Sequence, residues 1–176
     1  MELESARLLL RECRETDYPT THAYASDEET TRYTIFGPNT EKDTRDYLLR
    51  AVAQQGEKPR TIYGMAIELK TEARHIGAIG LNAQDKSKGS FGYVLHKDHW
   101  GKGYMSEAGR ALLTFAFQTL KLHRIVAKVC PGNAASIRVL EKLGMRREGH
   151  LIKDDWMKGA WRDSYLYAIL EEEWKG

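Results

Sequence analysis

The feature that most restricts how this chain can fold is a change of hydrophobic period across a glycine loop. Up to Leu95 the apolar residues come in short β-rich runs, Ile62 to Leu69, Ile76 to Leu81 and Phe91 to Leu95, separated by charged or glycine-containing turns. Beyond Gly101 and Gly103 the spacing becomes helical, with Met105, Ala108, Leu112, Phe115 and Thr119 on one face of a helix running to about Leu120. Three adjacent antiparallel strands therefore feed a long helix through a loop rich in glycine. Glycines at that place let the backbone approach a ligand, and the helix N-terminus adds partial positive charge, which together suit a pyrophosphate.

The flanking segments complete one layered domain. Leu8-Leu9-Leu10 reads as a first strand, followed by a polar helical stretch from Thr16-Asp17, and residues 27–58 read as a helix-loop-helix insertion whose second helix spans Glu41 to Ala53. After the long helix come a strand from Arg124 to Cys130, a helix from Ala134 to Leu143, and strands Met145 to Ile152 and Ser164 to Leu170. This order predicts a mixed α/β sheet with helices packed on it. The 176 residues are enough for one domain over residues 1–176 and too few for two ordinary ones.

Composition excludes several functions. A formal charge of +2 is far from the basic balance of a protein that lives on nucleic-acid phosphates. Cys13 and Cys130 form neither a disulfide framework nor a zinc motif, and His75, His96, His99 and His123 lack metal spacing, so no metal is expected. No run is long and apolar enough to span a membrane, and the acidic opening Met1-Glu2-Leu3-Glu4-Ser5 is unlike a secretory signal. A cytoplasmic location is the expectation.

The glycine loop fails two familiar phosphate motifs. A Walker loop needs a glycine where His96 stands and Ser or Thr where Gly103 stands, and a dinucleotide fingerprint needs a third glycine at Ser106. What Trp100-Gly101-Lys102-Gly103-Tyr104-Met105 does resemble is the pyrophosphate loop of the GNAT superfamily of N-acetyltransferases, Gln/Arg-x-x-Gly-x-Gly/Ala. With Trp in first position it is most similar to the ribosomal-protein N-terminal acetyltransferase (RimJ/RimL-like) branch. The resemblance extends through Arg7-Leu8-Leu9-Leu10-Arg11, Ile76 to Leu81, Gly92 to Leu95, Asn133 to Gly144, Gly159 to Asp163 and Tyr167. Met105 departs from it, since the pattern asks for Gly or Ala there.

The resemblance implies a single GNAT-like domain with a mostly antiparallel sheet splayed between its fourth and fifth strands. It implies acetyl-CoA as cosubstrate, held by Val94, Leu95, His96, Trp100, Gly101, Lys102, Gly103, Tyr104, Met105, Ser106, Asn133 and Ser136. Lys97, Arg138 and Lys142 are further basic residues within reach of the CoA phosphates. Acetyl transfer to a primary amine requires an oxyanion donor, a base and a proton for the departing thiolate. The resemblance puts the first at a main-chain N–H in Val94-Leu95-His96. The tyrosine acid of many relatives is replaced by Leu140, which leaves Ser136 or a water; Asp155 stands where the RimL-like branch has its acid, and Ser90 replaces the acid often found on the fourth strand. Tyr33, Phe36 and Trp156 are candidate acceptor-cleft residues. The acceptor itself, a protein N-terminus or a small amine, stays open, as do a homodimer and the alternative of a non-catalytic acetyl-CoA-binding sensor or scaffold.

Overall fold

A computed structural model describes residues 1–85 and 87–176. Its strands are β1 (Glu2–Glu4), β2 (Leu8–Glu12), β3 (Ile62–Leu69), β4 (Arg74–Asp85), β5 (Lys88–Leu95), β6 (Arg124–Val129), β7 (Arg146–Met157) and β8 (Ala160–Leu170). Its helices are α1 (Tyr18–Ala25), α2 (Glu28–Thr31), α3 (Glu41–Gln54), α4 (Tyr104–Thr114) and α5 (Ala134–Lys142). The strands form one sheet in the order β1-β2-β3-β4-β5-β6-β8-β7. Every pair is antiparallel except β5 with β6, which run parallel and pair only at Lys88↔Arg124, Gly89↔Ile125 and Ser90↔Val126. From Phe91 onward β5 leaves β6, while β6 stays paired with β8 as far as Val129↔Tyr165. This is the splay expected between the fourth and fifth strands, moved one place by the short β1, whose three residues Glu2–Glu4 carry no readable strand pattern.

Alternation along the strands sorts the sheet into two faces. On one, Met65, Ile67, Ile79, Leu81, Phe91 and Leu95 pack against Met105, Ala108, Leu112 and Leu113 of α4 in the main core. The opposite face carries a smaller cluster, Cys13, Leu48, Ala51 and Ala66, under α3. The latter helix opens with a reciprocal cap, Thr40 Oγ1 accepting from the Asp43 N–H and Asp43 Oδ2 from the Thr40 N–H.

The long helix departs from its expected periodicity at one point. Met105, Ala108, Leu112 and Phe115 are buried, but Thr119 is exposed, because α4 runs into a π turn over Phe115–Thr119. The wider turn advances the phase, so Ala116, Phe117 and Leu122 enter the core instead.

Gly77 places the end of β5. A Cβ there would lie 2.4 Å from the Val94 carbonyl oxygen and 2.9 Å from the Leu95 Cα, contacts that only a backbone shift relieves. Gly77→Ala is expected to cost about 1–3 kcal/mol, read as a lowered urea midpoint at unchanged m-value.

Candidate active site

The glycine loop begins with a single turn at Lys97–His99 that follows directly on β5. Gly101 (φ 74°) and Gly103 (φ 80°) both take the left-handed conformation. Space is not the reason for glycine here: a Cβ on Gly101 meets nothing within 4 Å, and one on Gly103 only Arg7 Nη2 at 3.5 Å. The backbone torsion is what requires it, since an L-residue in that region costs about 1–2 kcal/mol. Gly103 is the N-cap of α4, so the first N–H groups of that helix are turned outward without a side-chain cap.

Three contacts hold the loop. The Trp100 indole Nε1–H donates to the Leu95 carbonyl at 2.7 Å, fastening the loop to the end of β5. Arg7 Nη1 donates to the Lys102 carbonyl at 3.1 Å, and its guanidinium lies 4.5 Å above the Tyr104 ring. Glu107, in the first turn of α4, accepts from Arg7 Nε, the Arg7 backbone N–H and the Ser5 hydroxyl, each at 2.7 Å. Met105, the expected misfit, is buried and turns into the main core, so its side chain is not laid across the loop's outward N–H groups.

Opening the sheet frees main-chain groups. The His96 N–H donates to the Ile76 carbonyl on β4, so alternation turns the N–H and C=O of Leu95 toward the gap facing β6. The carbonyl is taken by Trp100, and the N–H faces the gap. Tyr93 stands in the gap itself, its hydroxyl donating to the Ser136 carbonyl at 3.3 Å. Burial pushes its phenol up to about 12, against a weaker opposing effect from the Ser136 side chain.

Two large cavities meet at this gap. One, of about 500 Å³, runs between the glycine loop, the start of α5 and residues 29–34. The other, of about 680 Å³, lies over the β3–β4–β5 face and along β6, β7 and β8. Both are lined by Tyr33, Thr34, Tyr93, Val94, Asn133 and Ser136. Val94 also lines a third cavity, of about 400 Å³, between α1 and α3.

Most of the residues singled out in the sequence lie on these walls. Val94, Leu95, Trp100, Gly101, Gly103, Tyr104, Met105, Ser106, Asn133 and Ser136 line the first cavity, together with Arg138 and Lys142. His96 and Lys102 do not; His96 Nδ1 caps the turn by accepting from the Asp98 N–H. Lys97 is drawn away to α2, pairing with Asp27 Oδ2 at 2.7 Å and Glu29 Oε2 at 3.4 Å. Asn133 Oδ1 accepts the Ser136 N–H at 3.1 Å, which leaves its amide nitrogen for another partner. Asp155 lines the second cavity, where its Oδ2 accepts from Ser164 Oγ at 3.3 Å and its Oδ1 is 3.7 Å from Lys128 Nζ.

Tyr33 and Phe36 are on the cavity walls, Tyr33 within 3.4 Å of where a Cβ on Gly132 would stand. Trp156 is not on them. It is 61% exposed and meets Trp161 edge to face at 5.5 Å, on the strand face turned away from the cavity that Met157 lines. Its neighbour Lys158 instead reaches across, Nζ donating to the Thr31 carbonyl at 2.5 Å. Arg7, Glu107 and Tyr93 carry positioning roles that no spacing announced, because their partners are distant in sequence. Among the described residues no group of side chains is arranged to hold a metal, and no helix is long and apolar enough to cross a membrane.

Comparison with known proteins agrees with this architecture. Residues 7–146 match the family model described as an acetyltransferase (GNAT) domain. An uncharacterized N-acetyltransferase of Bacillus subtilis (strain 168), YnaD, is 35% identical over 175 residues, 99% of each chain. The crystal structure of a GNAT-family acetyltransferase from Bacillus anthracis superimposes with a TM-score of 0.88 at 36% identity, covering 98% of this chain and 100% of that one. That of ribosomal-protein-S5-alanine acetyltransferase from Vibrio fischeri gives 0.81 at 25% identity, covering both chains fully (100% each).

The Glu107 clamp makes a pH-dependent prediction. Burial raises its carboxyl, but hydrogen bonds from the Arg7 backbone, Ser5 and the Arg7 guanidinium outweigh it and hold the group below its ordinary 4.5. A depressed carboxylate stabilises the fold above its unfolded value, and that stabilisation is lost as pH falls through the folded value. Glu107→Gln is expected to lose about 1 kcal/mol at neutral pH, discounted for the half-exposed arginine. In urea titrations the deficit should shrink as pH falls below 4.5.

Proposed function

The chain belongs to the GNAT family of acetyltransferases, and from that membership we propose that it transfers the acetyl group of acetyl-CoA directly to a primary amine at the gap between β5 and β6. The observation that carries this reading is the shared wall of Tyr33, Tyr93, Val94, Asn133 and Ser136. A donor reaching the gap from the glycine-loop side meets an acceptor arriving over the sheet.

The glycine-loop cavity fits CoA. The outward N–H groups at Gly103 and the start of α4 suit a pyrophosphate, with Arg138 and Lys142 on the same wall. The free amide nitrogen of Asn133 is placed to donate to the pantetheine arm. When bound, acetyl-CoA supplies an activated thioester; the remaining chemistry is left to this chain's own groups. The Leu95 N–H donates to the acyl oxygen as negative charge develops on it, in a site already organised by Trp100. Ser136, beside Tyr93 on the shared wall, donates from its hydroxyl to the departing sulfur. Asp155, held by Ser164 and Lys128, accepts the amine's proton.

A carboxylate is a weaker base than an amine, and this favours an acceptor that is partly neutral already. At pH 7 an α-amino group is about 10% neutral and a lysine amine below about 0.1%, a difference of roughly 3 kcal/mol. The α-amine of a peptide or protein is thus the preferred class; the Vibrio fischeri enzyme is named for an alanine of ribosomal protein S5.

Thiol release from acetyl-CoA, measured against N-terminal peptides, polyamines, amino sugars and aminoglycosides, tests the reading. Turnover with a peptide α-amine is expected, and none with any amine would overturn it. Ser136→Ala and Asp155→Asn should each lower kcat about 100-fold or more while leaving CoA affinity within about twofold.

A further inference from the structure

One buried polar side chain in the cofactor cavity has no partner. His99 is only 8% exposed, lines the cavity between Leu95 and Trp100, and its Nδ1 has no hydrogen bond. Two rings flank it, His96 edge to face at 6.1 Å and Tyr104 tilted at 6.3 Å between centroids. Leaving a buried imidazole nitrogen unsatisfied costs about 1–3 kcal/mol. The turn that carries His99 is tied on both sides, by the His99 N–H donating to the His96 carbonyl at 2.9 Å and by the Trp100 indole on Leu95. The ring is therefore held beside the N-terminus of α4 with a hydrogen bond to give.

We propose that His99 binds the pyrophosphate of CoA by a hydrogen bond from its imidazole and takes up a proton as the ligand arrives. The inference rests on the acetyl-CoA reading above and adds a residue and a proton to it. In the free protein the groups around His99 oppose its charge. Burial does so most, followed by Lys102 in the loop, Arg74 at the start of β4 and His96 on the same turn; Asp98 alone acts the other way, and together they hold the imidazole below its ordinary 6.5. A pyrophosphate adds two negative charges beside that ring, which reverses the balance.

The sign follows from linkage. A group whose value is depressed in the free protein and raised in the complex takes up a proton between the two values. Affinity is then greatest below the free value and falls as pH rises through the bound one. For a group starting below 6.5 the uptake falls across mildly acidic to neutral pH.

The probe is dephospho-CoA, because the 3′-phosphate of CoA has its own second ionisation near about pH 6 and would mask the effect. Calorimetric titration near about pH 6.5, in buffers of different ionisation enthalpy, counts the protons taken up without using catalysis. The wild-type chain is expected to take up a substantial fraction of one proton. His99→Gln should abolish the uptake and His99→Phe should weaken binding about tenfold, whereas His123→Asn, at an exposed histidine that lines none of the cavities, should keep both uptake and affinity. Wild-type binding without proton uptake across mildly acidic to neutral pH overturns the proposal whether or not the variants fold. Uptake that survives in His99→Gln, or disappears in His123→Asn, overturns it as well. If the wild-type chain binds neither dephospho-CoA nor CoA, the acetyl-CoA reading itself fails, and this inference with it; if it binds both without uptake, only the role of His99 falls.

Discussion

The rest of the structure depends on where the hydrogen bonds between β5 and β6 stop. They run from Lys88 to Ser90 and then end, although both strands continue. Unpaired main-chain groups inside a protein are costly unless something takes them up. The Leu95 carbonyl is taken by the Trp100 indole, and the Tyr93 hydroxyl reaches Ser136 across the opening. The Leu95 N–H is left facing the cavity. The opening thus brings the two cavities together and leaves a hydrogen-bond donor facing the one on the glycine-loop side.

Around that opening the loop and helix are fixed by charges from far away in the chain. Arg7 and Ser5 hold Glu107 and the Lys102 carbonyl, so the N-terminal strands brace the outward N–H groups of α4. Across the sheet, buried Arg11 is forked onto Asp17 at 2.7 and 3.0 Å and onto Glu68 at 2.6 Å, tying the approach to α1 to β2 and β3. Such a buried pair is worth keeping intact more than it is worth having, since removing one member leaves the other charge uncompensated. Lys97 and Lys158 fasten α2 from opposite ends, through Asp27 and the Thr31 carbonyl. The short helix beside the glycine-loop cavity is therefore placed by side chains rather than by a core of its own.

Much of the fold was legible in the chain. β3 and α3 were readable nearly to the residue, because Ile62 to Leu69 is a clean β-rich run and Thr40 with Asp43 marks a helix start. The helix after the loop was readable as far as Phe115, where the π turn broke the period and sent Thr119 to solvent. β1 was not readable, being short and half charged. In the site, the glycine loop and Asn133 carry local signatures: left-handed torsions demand glycine, and an asparagine before a helical run is a cap. Trp156 misled because exposure of a tryptophan is decided by which strand face it occupies, and the irregular register between Leu151 and Asp155 resets that face.

The sequence by itself determined the kinds of element, their order and the glycine loop at the head of α4, because these follow from periodicity and torsional preference within a few residues. Only the tertiary structure decided that Lys97 faces α2 instead of the loop, that Tyr93 bridges the gap and that His99 is buried without a partner. Those outcomes depend on residues tens of positions away that meet only after the sheet has formed and opened. A pattern of neighbours along the chain carries no record of them.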